Sequence, residues 1–197
     1  MQSTQSAICI PSNWLVPLSW NTIFERQAPL EVDVGCGKGS FLLHAAQENP
    51  NTNFIGVDRL LRRLRKIDKR IQRVGVHNIR LFRVEASYFV SYLVPEASIS
   101  AYHIYFPDPW PKRRHQQRRL MSASFVSNLR RTLRDGGAIN CATDHAEYYQ
   151  WIHEEFRKTP GFLEDTGGLL SEKIGTDFEQ DFLAAGKRIF RCRWIKG

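Results

Sequence analysis

The sequence predicts a Rossmann-like α/β domain, a mostly parallel sheet with helices on both faces. Three observations predict it. Short β-prone apolar runs alternate with segments of helical periodicity from residue 30 onward. A glycine-rich turn, Gly35-Cys36-Gly37-Lys38-Gly39, joins the first of these strands to the first helix. Acids stand where successive strands end, at Asp33, Asp58 and Glu85, and in open α/β sheets ligands bind at that edge.

Residues 1–29 carry Pro11, Pro17 and Pro29 with Trp14 and Trp20 and show no sustained period, so an irregular arm packed by its aromatics is expected there. A single domain then runs from 30 to 197. Leu30 to Val34 reads as a strand, and Ser40 to Gln47 as the helix after the glycine turn. Asn53 to Val57 is the second strand, ending at Asp58. Leu60, Leu64, Ile67, Ile71 and Val74 recur at helical spacing and form a one-sided apolar stripe. The other faces of that helix hold Arg59, Arg62, Arg63, Arg65, Lys66, Lys69, Arg70 and Arg73, which reads as a solvated face.

Asn78 to Val84 is the third strand, 86–94 a short helix, and Ile99 to Phe106 the fourth strand. Ser122 to Leu133 is helical, with Gly136-Gly137 as its stop signal. Ala138 to Thr143 is the fifth strand and His145 to Lys158 a helix. Gly161 to Gly175 lacks a period and is expected to be a mobile loop. Lys187 to Trp194 alternates as a closing strand.

At 197 residues the chain suits one domain with a proper core. Hydrophobic content of 42% and charged content of 24% are ordinary for a globular protein. No apolar run reaches membrane-spanning length, and no secretory signal opens the chain. The cysteines, Cys9, Cys36, Cys141 and Cys192, are scattered without Cys-x-x-Cys spacing. Reduced thiols in the cytoplasm are therefore expected, without a disulfide framework or a metal site. A net charge of +8 favours a polyanionic partner. Nothing in the sequence requires a protein partner, and a monomer or homodimer is expected.

The glycine turn narrows the small-molecule ligand. A dinucleotide fingerprint needs Gly-x-Gly-x-x-Gly, whereas Gly35, Gly37 and Gly39 are spaced one residue too tightly for the third glycine. An adenosyl group without pyrophosphate fits better, and carboxylates suit S-adenosylmethionine, which is cationic at its sulfonium and ammonium. Asp58 is placed to accept from both ribose hydroxyls. Taken alone, each acid is more often a helix cap or a solvated turn residue; three in register after a glycine turn point to a ligand.

The densest chemistry lies between Ile104 and Arg119. Pro107, Pro109 and Pro111 stiffen the turn after the fourth strand. Asp108 sits inside it, Trp110 follows, and then come Lys112, Arg113, Arg114, Arg118 and Arg119. The cationic cluster suits nucleic-acid phosphates, contacts that position a strand without reading its sequence. Trp110 is taken as a packing residue.

With these residues in view, the chain resembles the tRNA (guanine-N7)-methyltransferase family from about Leu30 to Trp194. The glycine turn, Gly56-Val57-Asp58, Phe106-Pro107-Asp108-Pro109-Trp110-Pro111-Lys112, Thr143-Asp144 and Thr176-Asp177-Phe178-Glu179 carry the resemblance. It implies an S-adenosylmethionine-dependent methyltransferase fold, and methyl transfer to N7 of the variable-loop guanine at tRNA position 46. It also implies that Asp33, Asp58 and Glu85 bind the cofactor with Gly35, Gly37 and Gly39, and that Asp108 lies at the junction of cofactor and base. Lys112, Asp144, Thr176 and Glu179 would contact the guanine or its nucleotide.

The chain departs from the family pattern where Asp33 and Asp58 replace Glu and Glu85 replaces Asp; an altered reach and weaker cofactor affinity are expected. It is also short at the N-terminus. Thr176-x-x-Glu179 is at the same time a capping-box signature. Two other readings remain: a base methyltransferase acting on an exocyclic amine, and an RNA-binding module of the same fold without catalysis.

Overall fold

A computed structural model describes residues 6–165 and 176–197. The strands are β1 (Ile8–Cys9), β2 (Leu30–Val34), β3 (Asn53–Asp58), β4 (Ile79–Arg83), β5 (Ile99–Tyr105), β6 (Leu133–Thr143), β7 (Phe162–Glu164) and β8 (Phe190–Lys196). They form one sheet in the order β1-β4-β3-β2-β5-β6-β8-β7. All pairings from β1 to β6 are parallel, and β8 runs antiparallel to both β6 and β7. The helices are α1 (Trp20–Ile23), α2 (Ser40–Glu48), α3 (Leu61–Val74), α4 (Ala86–Tyr88), α5 (Ala123–Thr132), α6 (Ala146–Lys158) and α7 (Asp177–Ala184).

Two cores lie on opposite faces of the sheet. On one, α5 and α6 press Phe125, Val126, Leu129, Tyr148, Ile152 and Phe156 onto Val32, Val34, Tyr102, Ile104, Ile139 and Trp194. On the other, Leu42 and Leu43 of α2 and Leu64, Ile67 and Ile71 of α3 cover Phe54, Ile79 and Leu81. Leu60 and Val74, the ends of the predicted apolar stripe, remain exposed. Leu60 precedes α3 as its N-cap, and Val74 is its last residue.

The predicted arm enters the sheet. Cys9 pairs with Phe82 and Ile8 with Leu81, so β1 covers the edge of β4. Asp68, the sole acid of α3, holds this strand by accepting from the Ala7 amide at 2.7 Å and the Ser6 hydroxyl at 2.9 Å. Trp14, Leu18 and Trp20 pack against the larger core, and Phe24 is buried in it.

Three local predictions change. The predicted 86–94 helix is a single α-turn running into a π-helix, Phe89–Leu93, and Arg131 donates to the carbonyls of Val90 and Ser91, both at 3.0 Å. α5 stops at Thr132 instead of at the glycines. The buried Leu133 is already extended and pairs with Ile99, so Gly136 and Gly137 lie in the irregular part of β6. Within the predicted 161–175 loop, Phe162–Glu164 is a strand, and 166–175 lie outside the described residues.

Candidate active site

The glycine turn is built by hydrogen bonds to the neighbouring strand. Gly35 and Cys36 both donate to Val57 O at 2.9 Å, and Gly39 donates to Cys36 O at 2.7 Å. Gly39 is the N-cap of α2, with φ of 75°, and a Cβ there would lie 2.7 Å from Ile67. That position therefore requires glycine on both conformational and steric grounds. Gly37 also has positive φ, and a Cβ on it would point at Phe178 of α7, 3.9 Å away.

Asp58 ends β3 and ties the turn to α3. Its carboxylate accepts from the Gly37 amide at 3.2 Å, the Leu60 amide at 2.7 Å and Arg63 Nη1 at 3.3 Å. Asp33, one strand over, is 4% exposed and makes no hydrogen bond or ion pair with the described residues. Burial, reinforced by the negative charge of Asp58, pushes its pKa up to about 8. A buried acid beside a second acid, with no cation of its own, is a deficit of positive charge next to a glycine cradle. S-adenosylmethionine, cationic and carrying an adenosyl group, fits that donor set. Glu85 is exposed and caps α4 by accepting from the Tyr88 amide at 2.9 Å.

The proline-rich loop follows β5, the strand paired to β2. Phe106 and Trp110, flanking Pro107-Asp108-Pro109, hold φ of 53° and 42°. Such non-glycine backbone is strained by on the order of 1 kcal/mol per residue and persists only where surrounding contacts enforce it. Phe106 N donates to Ala142 O at 2.8 Å, keeping the strand paired to its end. Asp108 is exposed and makes no hydrogen bond or ion pair with the described residues. Lys112, Arg113, Arg114 and Arg118 are also exposed, Arg118 lying over the Trp110 ring at 5.1 Å.

Arg119 corrects the predicted phosphate cluster. Its side chain is 1% exposed and lies within 5.2 Å of the Tyr148 ring and 4.9 Å of the Trp151 ring. Nη2 donates to Glu147 at 2.8 Å and Nε to Pro109 O at 2.9 Å. The neighbouring arginines face water, whereas this one is a strut under the loop. Arg119→Ala should lower stability by about 2–4 kcal/mol and depress turnover, because the Pro109 carbonyl loses its anchor. Arg119→Lys should recover part of the melting temperature and less of the turnover, since an ammonium has no fork to grip Pro109 and Glu147 together. Equal recovery of both would leave Arg119 a merely structural residue.

α7 brings the two loops together. Asp177 accepts from Ser40 of α2 at 2.8 Å, and the Phe178 ring, beside Gly37, lies 6.4 Å from Phe106. Thr176 is the N-cap, accepting from the Glu179 amide at 3.0 Å. Glu179 is 2% exposed and paired to Arg191 at 2.5 Å. Arg191 thus holds Glu179 against β8, directly behind the Thr176 cap. Asp144 is paired with Lys187 at 2.6 Å.

A further set of residues was not found from sequence. On the face next to Asp33, His103 Nε2 donates to the Glu31 carboxylate at 2.8 Å and Nδ1 hydrogen-bonds with the Tyr105 hydroxyl at 3.0 Å, and Phe41 packs against both rings at 4.6 Å and 5.0 Å between centroids. Burial, then Asp33, raises the Tyr105 hydroxyl well above its usual pKa, so it keeps its proton. The available signal was the same-face alternation of His103 and Tyr105 with Tyr102 and Ile104. Among the described residues no cluster of metal-ligating side chains occurs, and no helix is long and apolar enough to cross a membrane.

A family model described as putative methyltransferase matches residues 27–192. A tRNA (guanine-N(7)-)-methyltransferase of Geobacter metallireducens is 33% identical over 194 residues, covering 94% of this chain and 90% of that protein. One of Nocardia farcinica is 38% identical over 193 residues, covering 91% and 72%. Among solved structures, the 16S rRNA methyltransferase KamB superposes with a TM-score of 0.68 at 14% identity, covering 90% of this chain and 93% of that one, which speaks to the fold. The fold, the glycine turn with its acids and these similarities agree: the chain belongs to the tRNA (guanine-N(7)-)-methyltransferase family.

Proposed function

We propose that the chain transfers the methyl group of S-adenosylmethionine to N7 of the variable-loop guanine at position 46 of tRNA. The observation that carries this reading is the reach of Phe178. Its ring lies beside Gly37 on one side, with its centroid 6.4 Å from that of Phe106 on the other, which supports a shared rim for the acid pocket and the Asp108 loop where β2 and β5 end.

S-adenosylmethionine supplies an electrophilic methyl group on a sulfonium. Guanine N7 has an in-plane lone pair and no proton, so the protein needs no general base and contributes alignment. Asp33, Asp58 and Glu85 would hold the cofactor with the backbone of Gly35, Gly37 and Gly39. Positive charge grows on the purine imidazole ring as N7 attacks, and Asp108, held still by its prolines and Arg119, stabilises it. The same carboxylate can accept from N1 and N2 of guanine, donors that adenine does not present in that pattern. Lys112, Asp144, Thr176 and Glu179 would contact the nucleotide. The free state of all four cysteines suits a reducing compartment such as the cytoplasm.

Nucleoside analysis of unmodified tRNA after reaction tests the proposal. The expected product is 7-methylguanosine. A methyl group on an exocyclic amine would move the enzyme to another class, and no product together with no calorimetric cofactor binding would mark a silent RNA-binding module. For the phosphate cluster, Arg113→Ala with Arg114→Ala should weaken tRNA binding and flatten the plot of log affinity against log salt by about 1.5. An unchanged slope returns both residues to a solvated face.

A further inference from the structure

The methyl-transfer site leaves one strongly charged surface unused, the outer face of α3. Arg62, Arg65, Lys66, Lys69 and Arg73 are exposed there and make no hydrogen bond or ion pair with the described residues. Arg63 is spent on Asp58 and Arg70 on the Lys38 carbonyl. Asp68, the only acid of the helix, is turned inward to Ser6 and Ala7. No exposed acid interrupts the face, and Lys38 and Arg59, both exposed, extend it to the rim of the site.

A merely solvated helix face gains from mixed signs at i,i+3 and i,i+4. This one repeats like charges at Arg62 and Lys66, Arg65 and Lys69, and Lys69 and Arg73, spacings that work against the helix in the free protein. Burial of Leu64, Ile67 and Ile71 fixes which side is outward, so the repulsion is not relieved by rotation. A polyanion laid along the face reverses its sign.

We propose that α3 is a second tRNA-binding surface, holding the phosphate backbone of a part of the tRNA remote from the target base. This rests on the tRNA reading above. The helix has 14 residues, about 21 Å of length, against about 3.4 Å of axis per phosphate on one strand. It therefore tracks roughly six phosphates. In the sheet order, β2 and its glycine turn lie between β3, which feeds α3, and β5, which feeds the Lys112–Arg118 segment. The two cationic surfaces flank the pocket, and a tRNA touching both must lie across the rim and down the α3 side. That geometry selects for a folded, two-armed RNA over a short single strand.

The test compares the unaltered chain with a Lys66→Ala, Lys69→Ala, Arg73→Ala variant, whose sites are clear of the cofactor turn. Binding of unmodified tRNA is measured across a salt series. The expected slope is shallower by about 2–3, with affinity at low salt reduced at least tenfold. A short hairpin holding only the target loop should show little of this loss. Cofactor affinity and melting temperature should be kept, and the charge-preserving Lys66→Arg, Lys69→Arg variant should retain the full slope. If the unaltered chain forms 7-methylguanosine but the triple variant keeps its tRNA slope, the α3 proposal alone is overturned. Loss of binding to anionic phospholipid vesicles with an unchanged tRNA slope overturns it in favour of a membrane surface. If the unaltered chain neither binds nor methylates tRNA, the underlying reading fails with it.

Discussion

Asp108→Asn should lower kcat by roughly 10²–10³-fold, the loss found when a single charge-stabilising group is removed from a transition state. The substitution keeps shape and hydrogen-bonding capacity and removes only the charge. Because Asp108 is exposed and bonds to no described residue, melting should shift by less than about 0.5 kcal/mol equivalent. The loss would then lie in turnover and not in folding, and cofactor affinity should fall far less than kcat. Single-turnover rates at saturating tRNA and cofactor measure it. A near-normal rate would remove Asp108 from the chemistry and leave the prolines as the loop's only purpose.

Asp33→Asn should have opposite effects on stability and on function. Burial and the charge of Asp58 push Asp33 up to about 8 in the folded chain, from an ordinary 3.8. The folded state thus binds the proton more tightly than the unfolded one. The stability this gives is fully present below about pH 4 and lost as pH rises toward 8. Asn cannot ionise, so the variant should escape that loss and exceed the unaltered chain at pH 8 by as much as roughly 5 kcal/mol. The two should converge near pH 4. Thermal melting of the ligand-free proteins across that window is the measurement, and parallel pH profiles would sink the assignment. Calorimetry should show the reverse cost, a weaker cofactor complex for the variant, because the buried charge that strains the empty protein is the one that meets a cationic ligand.

Much of this architecture was legible because apolar runs and turn residues report on local structure. Leu30–Val34, Asn53–Asp58 and the stripe from Leu64 to Ile71 gave strands and a helix close to those observed. Alternation carries no direction, so the antiparallel run of Phe190–Lys196 could not be seen in it. The same limit applies to the site. Asp33, Asp58 and Asp108 stood out because glycine and proline mark the turns that hold them. Arg119 did not, since its burial depends on Glu147, Tyr148 and Trp151, residues on a helix beyond the next strand. Glu179 matched both a cap motif and a family motif. Its pairing with Arg191 depends on the docking of α7 on β8, which no local pattern reports.

The pairing of β1 with β4 has a consequence for where the folding unit begins. Similarity to the family model starts at residue 27, yet Ile8 and Cys9 are hydrogen-bonded members of the sheet. A chain trimmed to the span of the family model would bare the β4 edge to neighbouring molecules and strand the inward carboxylate of Asp68. The border of the family model and the border of the folding unit thus differ in this protein by some twenty residues.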